Sequence, residues 1–164
     1  MAKIISLSQL HKECQDFKKR KQKVVLATGV FDLLHKEHKR FLKAAKKQGN
    51  ILIVGLETDK RVKKLKGSQR PVWKLEKRLE KTAELSMIDY VFSLPNKFDT
   101  AADHKKLISL LKPQILAVSS HTPHLKEKQS LIKKYGGKLR VVLSFNPGIS
   151  TSKILINKTP LDNW

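Results

Sequence analysis

Two histidines spaced three residues apart, His35 and His38, follow a glycine turn at the start of a predicted helix. A separation of three residues places both imidazole rings on one face of that helix. The free backbone N–H groups and the dipole of a helix start favour negative charge nearby. Imidazole rings in this position can donate hydrogen bonds to the oxygens of such a group. The residue types and their spacing therefore predict an anion-binding site.

The elements that must position these histidines are one strand and one helix. The apolar run at residues 24–27 predicts a buried strand over about residues 23–28, and the following helix is predicted to end near Lys47, before Gly49. Asp32 stands where a carboxylate could cap that helix. Ligands of parallel sheets bind beyond the carboxyl ends of the strands, where the strand order reverses. The loop after this strand is therefore the predicted site.

The remaining segments alternate in the same way. Four further apolar runs predict strands at residues 51–56, 90–94, 115–118 and 139–143. Helices are predicted after Ser6 or Ser8, over residues 59–65 and 74–85, after Asp99, from Thr122-Pro123 with the proline first, and after Ser150 or Thr151. The alternation predicts a Rossmann-like, doubly wound α/β fold with five mostly parallel strands and helices on both faces.

The chain of 164 residues is predicted to form a single domain. Within it, residues 1–22 are predicted to be a lead-in helix and basic segment, and residues 151–164 a C-terminal helix and tail. The sequence contains no apolar run of membrane-spanning length and no recognisable signal peptide. The single cysteine, Cys14, cannot form an internal disulfide and suits a reducing compartment. We therefore expect a cytoplasmic protein.

The net charge of +21 predicts an anionic partner. Lysine supplies 29 of the 35 basic residues and is spread over almost every segment, with one dense run at residues 18–23. Proteins that read nucleic acid usually rely on the arginine fork, and this chain has six arginines. The dispersal favours a lysine-rich composition over a nucleic-acid interface. A basic nucleic-acid-binding protein is the less favoured alternative.

The stretch around the two histidines resembles the signature of the nucleotidyltransferases of the cytidylyltransferase-like superfamily, Gly-x-Phe-Asp-x-x-His-x-Gly-His (the HxGH motif). The matching residues are Gly29, Phe31, Asp32, His35 and His38. Three further segments follow in the family's order: Lys66-Gly67-x-x-Arg70-Pro71, Arg78, and Gly148-Ile149-Ser150-Thr151-Ser152. The resemblance covers about residues 5–157. It is nearest to the heptose-phosphate adenylyltransferase domain and to the glycerol-3-phosphate cytidylyltransferases.

This resemblance implies transfer of AMP or CMP from ATP or CTP, with Mg²⁺, to a phosphorylated sugar or polyol, releasing pyrophosphate. It implies catalytic roles for His35, His38 and Lys66. It further implies that the nucleotide contacts Thr28, Gly29, Phe31, Asp32, Arg78, Ser150, Thr151 and Ser152. Relatives of this fold often pair, so the resemblance also implies a homodimer.

Two departures from the family pattern keep a second interpretation open. Glu37 stands where the signature has its second glycine, and a carboxylate near a triphosphate is unfavourable unless it is directed away or paired. The family's Gly-x-Asp element after the fourth predicted strand is absent from residues 118–122. The alternative is therefore a nucleotide-binding homologue with weak or no catalysis. His121 and His124 lack a third ligand, so no protein-bound metal site is expected.

Overall fold

The computed structural model describes residues 1–144. This range contains six strands and six helices, which alternate except that two helices follow the third strand. The strands are β1 (Lys3–Ile4), β2 (Val24–Gly29), β3 (Ile51–Leu56), β4 (Tyr90–Ser93), β5 (Ile115–Ser119) and β6 (Lys138–Leu143). The helices are α1 (Leu7–Lys19), α2 (Lys36–Lys46), α3 (Asp59–Lys66), α4 (Leu75–Ala83), α5 (Ala101–Leu111) and α6 (Leu125–Lys134). The helix predicted after Ser150 or Thr151 lies outside the described residues.

The six strands form one parallel sheet in the order β1-β4-β3-β2-β5-β6. After β4 the chain crosses to the other side of β2, so β2 lies between β3 and β5 at the point where the strand order reverses. The predicted doubly wound parallel sheet is confirmed. It has one more strand than predicted, because the two-residue β1 is too short to give a sequence pattern.

Alternating side chains of β2 enter two separate cores on the two faces of the sheet. Val24 and Leu26 pack with α1, α5 and α6, whereas Val25 and Ala27 pack with α2 and α4. This period of two is the ordinary pleat of a strand, and burial of both faces explains the continuous apolar run. The carboxyl end of β2 is therefore held from both sides by packed helices.

Three helix starts differ from the sequence prediction. The residue that caps α5 is Thr100, whose side chain accepts from the N–H of Asp103, while the Asp99 carboxylate pairs with Arg61 and Lys64. Helix α6 begins at Leu125 after His124, so Pro123 is not its first residue. Helix α2 is preceded by His35, so the prediction that Asp32 caps it is also wrong. In the two aspartates, long-range pairing with arginine prevails over the local cap.

Among residues 1–144, no helix combines the length and apolar character that crossing a membrane requires.

Packing of α2 on the sheet should depend on Leu42, whose side chain is completely buried in the core on that face. We expect Leu42→Ala to lower the free energy of unfolding by about 2–5 kcal/mol, since it leaves a cavity that the sheet cannot fill. Urea unfolding measures the change. Leu65→Ala is the matched control, because Leu65 is 51% exposed on α3. Equal losses in the two variants would contradict the packing described here.

Candidate active site

The turn after β2 brings an aromatic ring against a glycine. A Cβ atom on Gly29 would lie 2.9 Å from the Phe31 ring, so a larger residue at position 29 would displace that ring. Phe31 and Leu33 have φ angles of 48° and 49°, in the left-handed region that residues other than glycine rarely adopt. The Gly29 carbonyl accepts a hydrogen bond from the Glu57 N–H at 2.9 Å. The turn is therefore compact, and it is joined to the residue that follows β3.

His35 and His38 form a stacked pair at the start of α2. Their ring centroids are 3.7 Å apart and their planes differ by 22°. His35 occupies the N-cap position, and its backbone N–H donates to His38 Nδ1 at 3.3 Å. Because Nδ1 accepts this bond, a neutral His38 carries its proton on Nε2. The Phe31 ring contacts the His38 ring edge-on, with centroids 5.4 Å apart.

Both imidazoles are held in the neutral form. Burial lowers the pKa of His38 to about 3, and the neighbouring His35 and Lys66 act in the same direction. Burial also lowers the pKa of His35, while Glu37 opposes this change and Lys66 adds to it. His35 Nδ1 is buried and has no hydrogen-bond partner among residues 1–144. The pair therefore offers neutral hydrogen-bonding groups to a ligand, and a fixed positive charge must come from elsewhere.

The carboxylate of Asp32 fixes the loop that follows α3. It lies 2.8 Å from Arg70 Nη2 and accepts hydrogen bonds from Arg70 Nε at 3.0 Å, from the Val72 N–H at 2.8 Å and from the Trp73 N–H at 3.0 Å. Both charged side chains are buried. The Asp32 carboxylate therefore holds residues 70–73 against the turn after β2. A contact between Asp32 and the nucleotide stays a prediction.

Lys66 is the last residue of α3 and lines the same cleft as the histidine pair. Its charge lowers the pKa of both histidines, so its ammonium group lies close to them. Gly67 ends the helix with a φ angle of 99°, a conformation that glycine adopts without strain. The chain can therefore turn sharply after Lys66 and reach Arg70.

Arg78 has a side chain with no exposed surface. Its guanidinium donates to the carbonyl of Trp73 at 3.0 Å, to the carbonyl of Val30 at 2.8 Å and to Asp59 Oδ1 at 2.7 Å. These bonds join three separate segments: the turn after β2, the start of α3 and the loop before α4. The environment of Arg78 indicates that it positions these segments. Its predicted contact with the nucleotide stays a prediction.

Glu37 is directed towards Arg40 on the same helix. Nη1 of Arg40 donates to both carboxylate oxygens of Glu37, at 2.8 and 3.0 Å. The Glu37 side chain is largely buried, whereas that of Arg40 is exposed. The departure from the family signature is therefore partly neutralised within α2, although the Glu37 charge still reaches His35.

One open cleft brings most of the predicted site residues together. It is lined by Thr28, Gly29, Phe31, Asp32, His35, His38 and Lys66, whereas Arg78 lies behind its wall. Ser150, Thr151 and Ser152 lie outside the described residues. The cleft also includes Glu57, Arg61 and Asp99, which were not predicted as site residues. The position of Glu57 directly after β3, at the same sheet edge, was a signal that could have identified it.

Protein ligands for a metal ion are not grouped in the described part of the chain. A search of residues 1–144 finds no group of three or more His, Cys, Asp or Glu side chains that could hold one. Asp32 and Glu37, two carboxylates that line the cleft, are paired with arginines. These residues therefore do not fit a metal site built from protein ligands.

Comparison with known proteins gives matches over most of the chain. A family model described as cytidylyltransferase-like matches residues 26–155. The bifunctional protein HldE of Pelobacter propionicus is 38% identical over 139 residues, which cover 84% of this chain and 27% of that protein. HldE of Helicobacter pylori strain P12 is 40% identical over 134 residues, covering 82% and 27% respectively. The chain thus spans less than a third of the length of these curated relatives.

Two solved structures resemble the fold of this chain. A lipopolysaccharide core biosynthesis protein from Thermoplasma volcanium superposes with a TM-score of 0.61 at 28% identity, covering 76% of this chain and 97% of that one. A pantoate-beta-alanine ligase from Francisella tularensis shares the fold, with a TM-score of 0.63 at 16% identity over 96% of this chain and 77% of that one. With the family match and the stacked histidines after the glycine turn, these similarities show that the chain belongs to the cytidylyltransferase-like family of nucleotidyltransferases.

Proposed function

We propose that this chain transfers AMP, or CMP, from a nucleoside triphosphate to a phosphorylated sugar or polyol. The observation that carries the proposal is the neutral, stacked pair His35 and His38 beside Lys66, at the point where the strand order reverses. An oxygen of the acceptor phosphate forms a bond to the α-phosphorus. The bond from that phosphorus to the α,β-bridging oxygen breaks, and pyrophosphate leaves with the electron pair.

The proposed roles follow from the geometry of the site. His38 donates through Nε2 to an oxygen of the α-phosphate, and the N–H groups at the start of α2 face the same charge. Lys66 supplies the fixed positive charge that the neutral imidazoles lack. Asp32 and Arg78 are proposed to act indirectly, because their bonds hold together the two loops that carry the histidine pair and Lys66. Ser150, Thr151 and Ser152 are proposed to bind the β,γ end of the triphosphate.

Magnesium is proposed to arrive with the triphosphate, where it would neutralise phosphate charge. Since residues 1–144 contain no group of three or more His, Cys, Asp or Glu side chains that could hold the ion, its ligands in this proposal are phosphate oxygens and water.

The names of the relatives favour a sugar phosphate as acceptor. Two of them are bifunctional proteins called HldE, and the structure from T. volcanium is titled a lipopolysaccharide core biosynthesis protein. ATP is favoured over CTP, because the Lys66-Gly67-x-x-Arg70-Pro71 loop resembles the sugar-phosphate branch of the superfamily. The same resemblance leads us to propose a homodimer that acts in the cytoplasm.

The direct test is pyrophosphate release by the full chain with ATP or CTP against heptose 1-phosphate, glucose 1-phosphate and glycerol 3-phosphate. We expect release with at least one sugar phosphate and faster turnover with ATP. Tight nucleotide binding without release from any acceptor would contradict the proposal. That result would favour a nucleotide-binding homologue that has lost catalysis.

Removal of either imidazole should slow the reaction strongly. We expect His35→Ala and His38→Ala each to lower kcat/KM by about 10²-fold or more, the size of losing one donor to the transition state. Steady-state kinetics of pyrophosphate release measures the effect. His11→Ala is the control, since His11 lies on α1 and bonds the carbonyl of Leu110. Unchanged kcat/KM in both variants would rule out this mechanism.

The lowered pKa of His38 predicts a particular dependence of stability on pH. An unfolded histidine takes up a proton below about pH 6.5, whereas folded His38 does so only near pH 3. The stability that neutral His38 contributes is therefore fully present above about pH 6.5 and is lost as the pH falls. The loss should reach about 2 kcal/mol at about pH 5. Urea unfolding at about pH 7.5 and 5 should show a smaller loss for His38→Gln than for the unchanged chain. Equal losses would mean that His38 titrates normally.

A further inference from the structure

A second charged cluster, formed by Glu57, Arg61 and Asp99, lines the cleft that contains the histidine pair. Glu57 follows β3, and its N–H donates to the carbonyl of Gly29, so it lies one strand away from the turn after β2. Arg61 lies in α3, and Asp99 directly precedes the residue that caps α5. The cluster is therefore a neighbour of the proposed phosphate site, at the same edge of the sheet.

The contacts within this cluster leave hydrogen-bonding capacity unused. Arg61 Nε and Glu57 Oε2 are 3.6 Å apart, which is an ion pair without a hydrogen bond. Both atoms are buried and have no hydrogen-bond partner among residues 1–144, and each of the two side chains is only 12% exposed. Buried polar groups in folded proteins usually have partners. A donor and an acceptor are therefore left side by side in the wall of a cleft.

The other end of the Arg61 guanidinium is anchored. Its Nη1 contacts Asp99, and Lys64 Nζ contacts the second oxygen of the same carboxylate at 3.1 Å. The start of α3 is itself tied to the turn after β2, because Arg78 bonds both Asp59 and the carbonyl of Val30. The position of Arg61 relative to the histidine pair is therefore set by these polar bonds.

The unused groups match hydroxyl chemistry better than phosphate chemistry. A phosphate oxygen can accept from Arg61, but an ionised phosphate has no proton to donate to Glu57, and the two negative charges repel. Two neighbouring hydroxyl groups can donate to the Glu57 carboxylate and accept from the Arg61 guanidinium at once, through the part of each group that reaches the cleft. The ammonium group of Lys128 lies close enough to act on the pKa of Glu57. Its positive charge offsets part of the negative charge of Glu57 and Asp99.

We propose that Glu57 and Arg61 form a subsite for paired hydroxyl groups of a substrate sugar, beside the phosphate site at the histidine pair. The inference rests on the proposed function, in which both the acceptor and the ribose of the nucleotide carry such groups. It goes further by assigning the recognition of those groups to two residues outside the family signature.

The test is a set of binding measurements that need no turnover. Calorimetry on the full chain compares heptose 1-phosphate with inorganic phosphate, and ATP with 2′,3′-dideoxyATP. We expect Glu57→Gln to weaken one hydroxyl-bearing ligand at least about tenfold and to leave its hydroxyl-poor counterpart unchanged. A selective loss for heptose 1-phosphate assigns the subsite to the acceptor, and a selective loss for ATP assigns it to the ribose.

The matched control is Glu84→Gln, at the C-terminal end of α4, in an exposed pair with Lys81 that does not line the cleft. Arg61→Lys is the second variant, because it keeps the charge beside Asp99 and loses the planar guanidinium, and we expect the same selective loss from it. Unchanged binding, or equal weakening of both members of each pair, would overturn the subsite. Pyrophosphate release by the unchanged chain separates the two proposals. If the unchanged chain releases pyrophosphate and Glu57→Gln binds every ligand normally, the subsite alone is rejected. If Glu57→Gln selectively weakens binding and the unchanged chain releases no pyrophosphate, the transfer reaction alone is rejected.

Discussion

The geometry of the cleft depends on the buried ion pair between the Asp32 carboxylate and Arg70. A buried charge is tolerated only when it is paired and hydrogen-bonded, and Asp32 meets this requirement with Arg70 and two backbone N–H groups from residues 72 and 73. Arg78 joins the same two segments from behind, through the carbonyls of Val30 and Trp73. These two side chains hold the loop after α3 against the turn after β2. As a consequence, Lys66 lies beside the histidine pair although about 30 residues separate them in sequence.

The electrostatics of the site divide the work between neutral and charged groups. Burial and the nearby Lys66 keep both imidazoles unprotonated, so the histidines act as neutral hydrogen-bonding groups, and the bond to Nδ1 of His38 fixes the tautomer of that ring. Positive charge is left to Lys66 and to the start of α2, while the net charge of +21 attracts anions from a distance. The negative charge of Glu37 would repel a phosphate, and the observed pairing of its carboxylate with Arg40 reduces that repulsion. The residue that departs from the family signature is therefore compatible with a phosphate site.

Much of this arrangement could be predicted from the sequence because it is local. The apolar runs indicate the long strands, and the spacing of His35 and His38 indicates that the two rings lie on the same side of a helix start, where the structure shows them stacked. Two of the predictions that were wrong concern side chains with distant partners. Asp32 and Asp99 look like helix caps, but arginines 38 residues away bind them. The full burial of Arg78 and the inclusion of Glu57 in the cleft depend equally on contacts between segments far apart in the chain.

The central proposal is that the histidine pair and Lys66 together hold the α-phosphate, while the Asp32 carboxylate stays bound to Arg70 and positions the loop. A crystal structure of the full chain with α,β-methylene ATP tests this most directly. The account predicts α-phosphate oxygens within hydrogen-bond distance of His38 Nε2 and Lys66 Nζ, with the Asp32 carboxylate still bound to Arg70. A triphosphate bound elsewhere in the cleft, or an Asp32 carboxylate that has left Arg70 to bind the nucleotide complex, would contradict it.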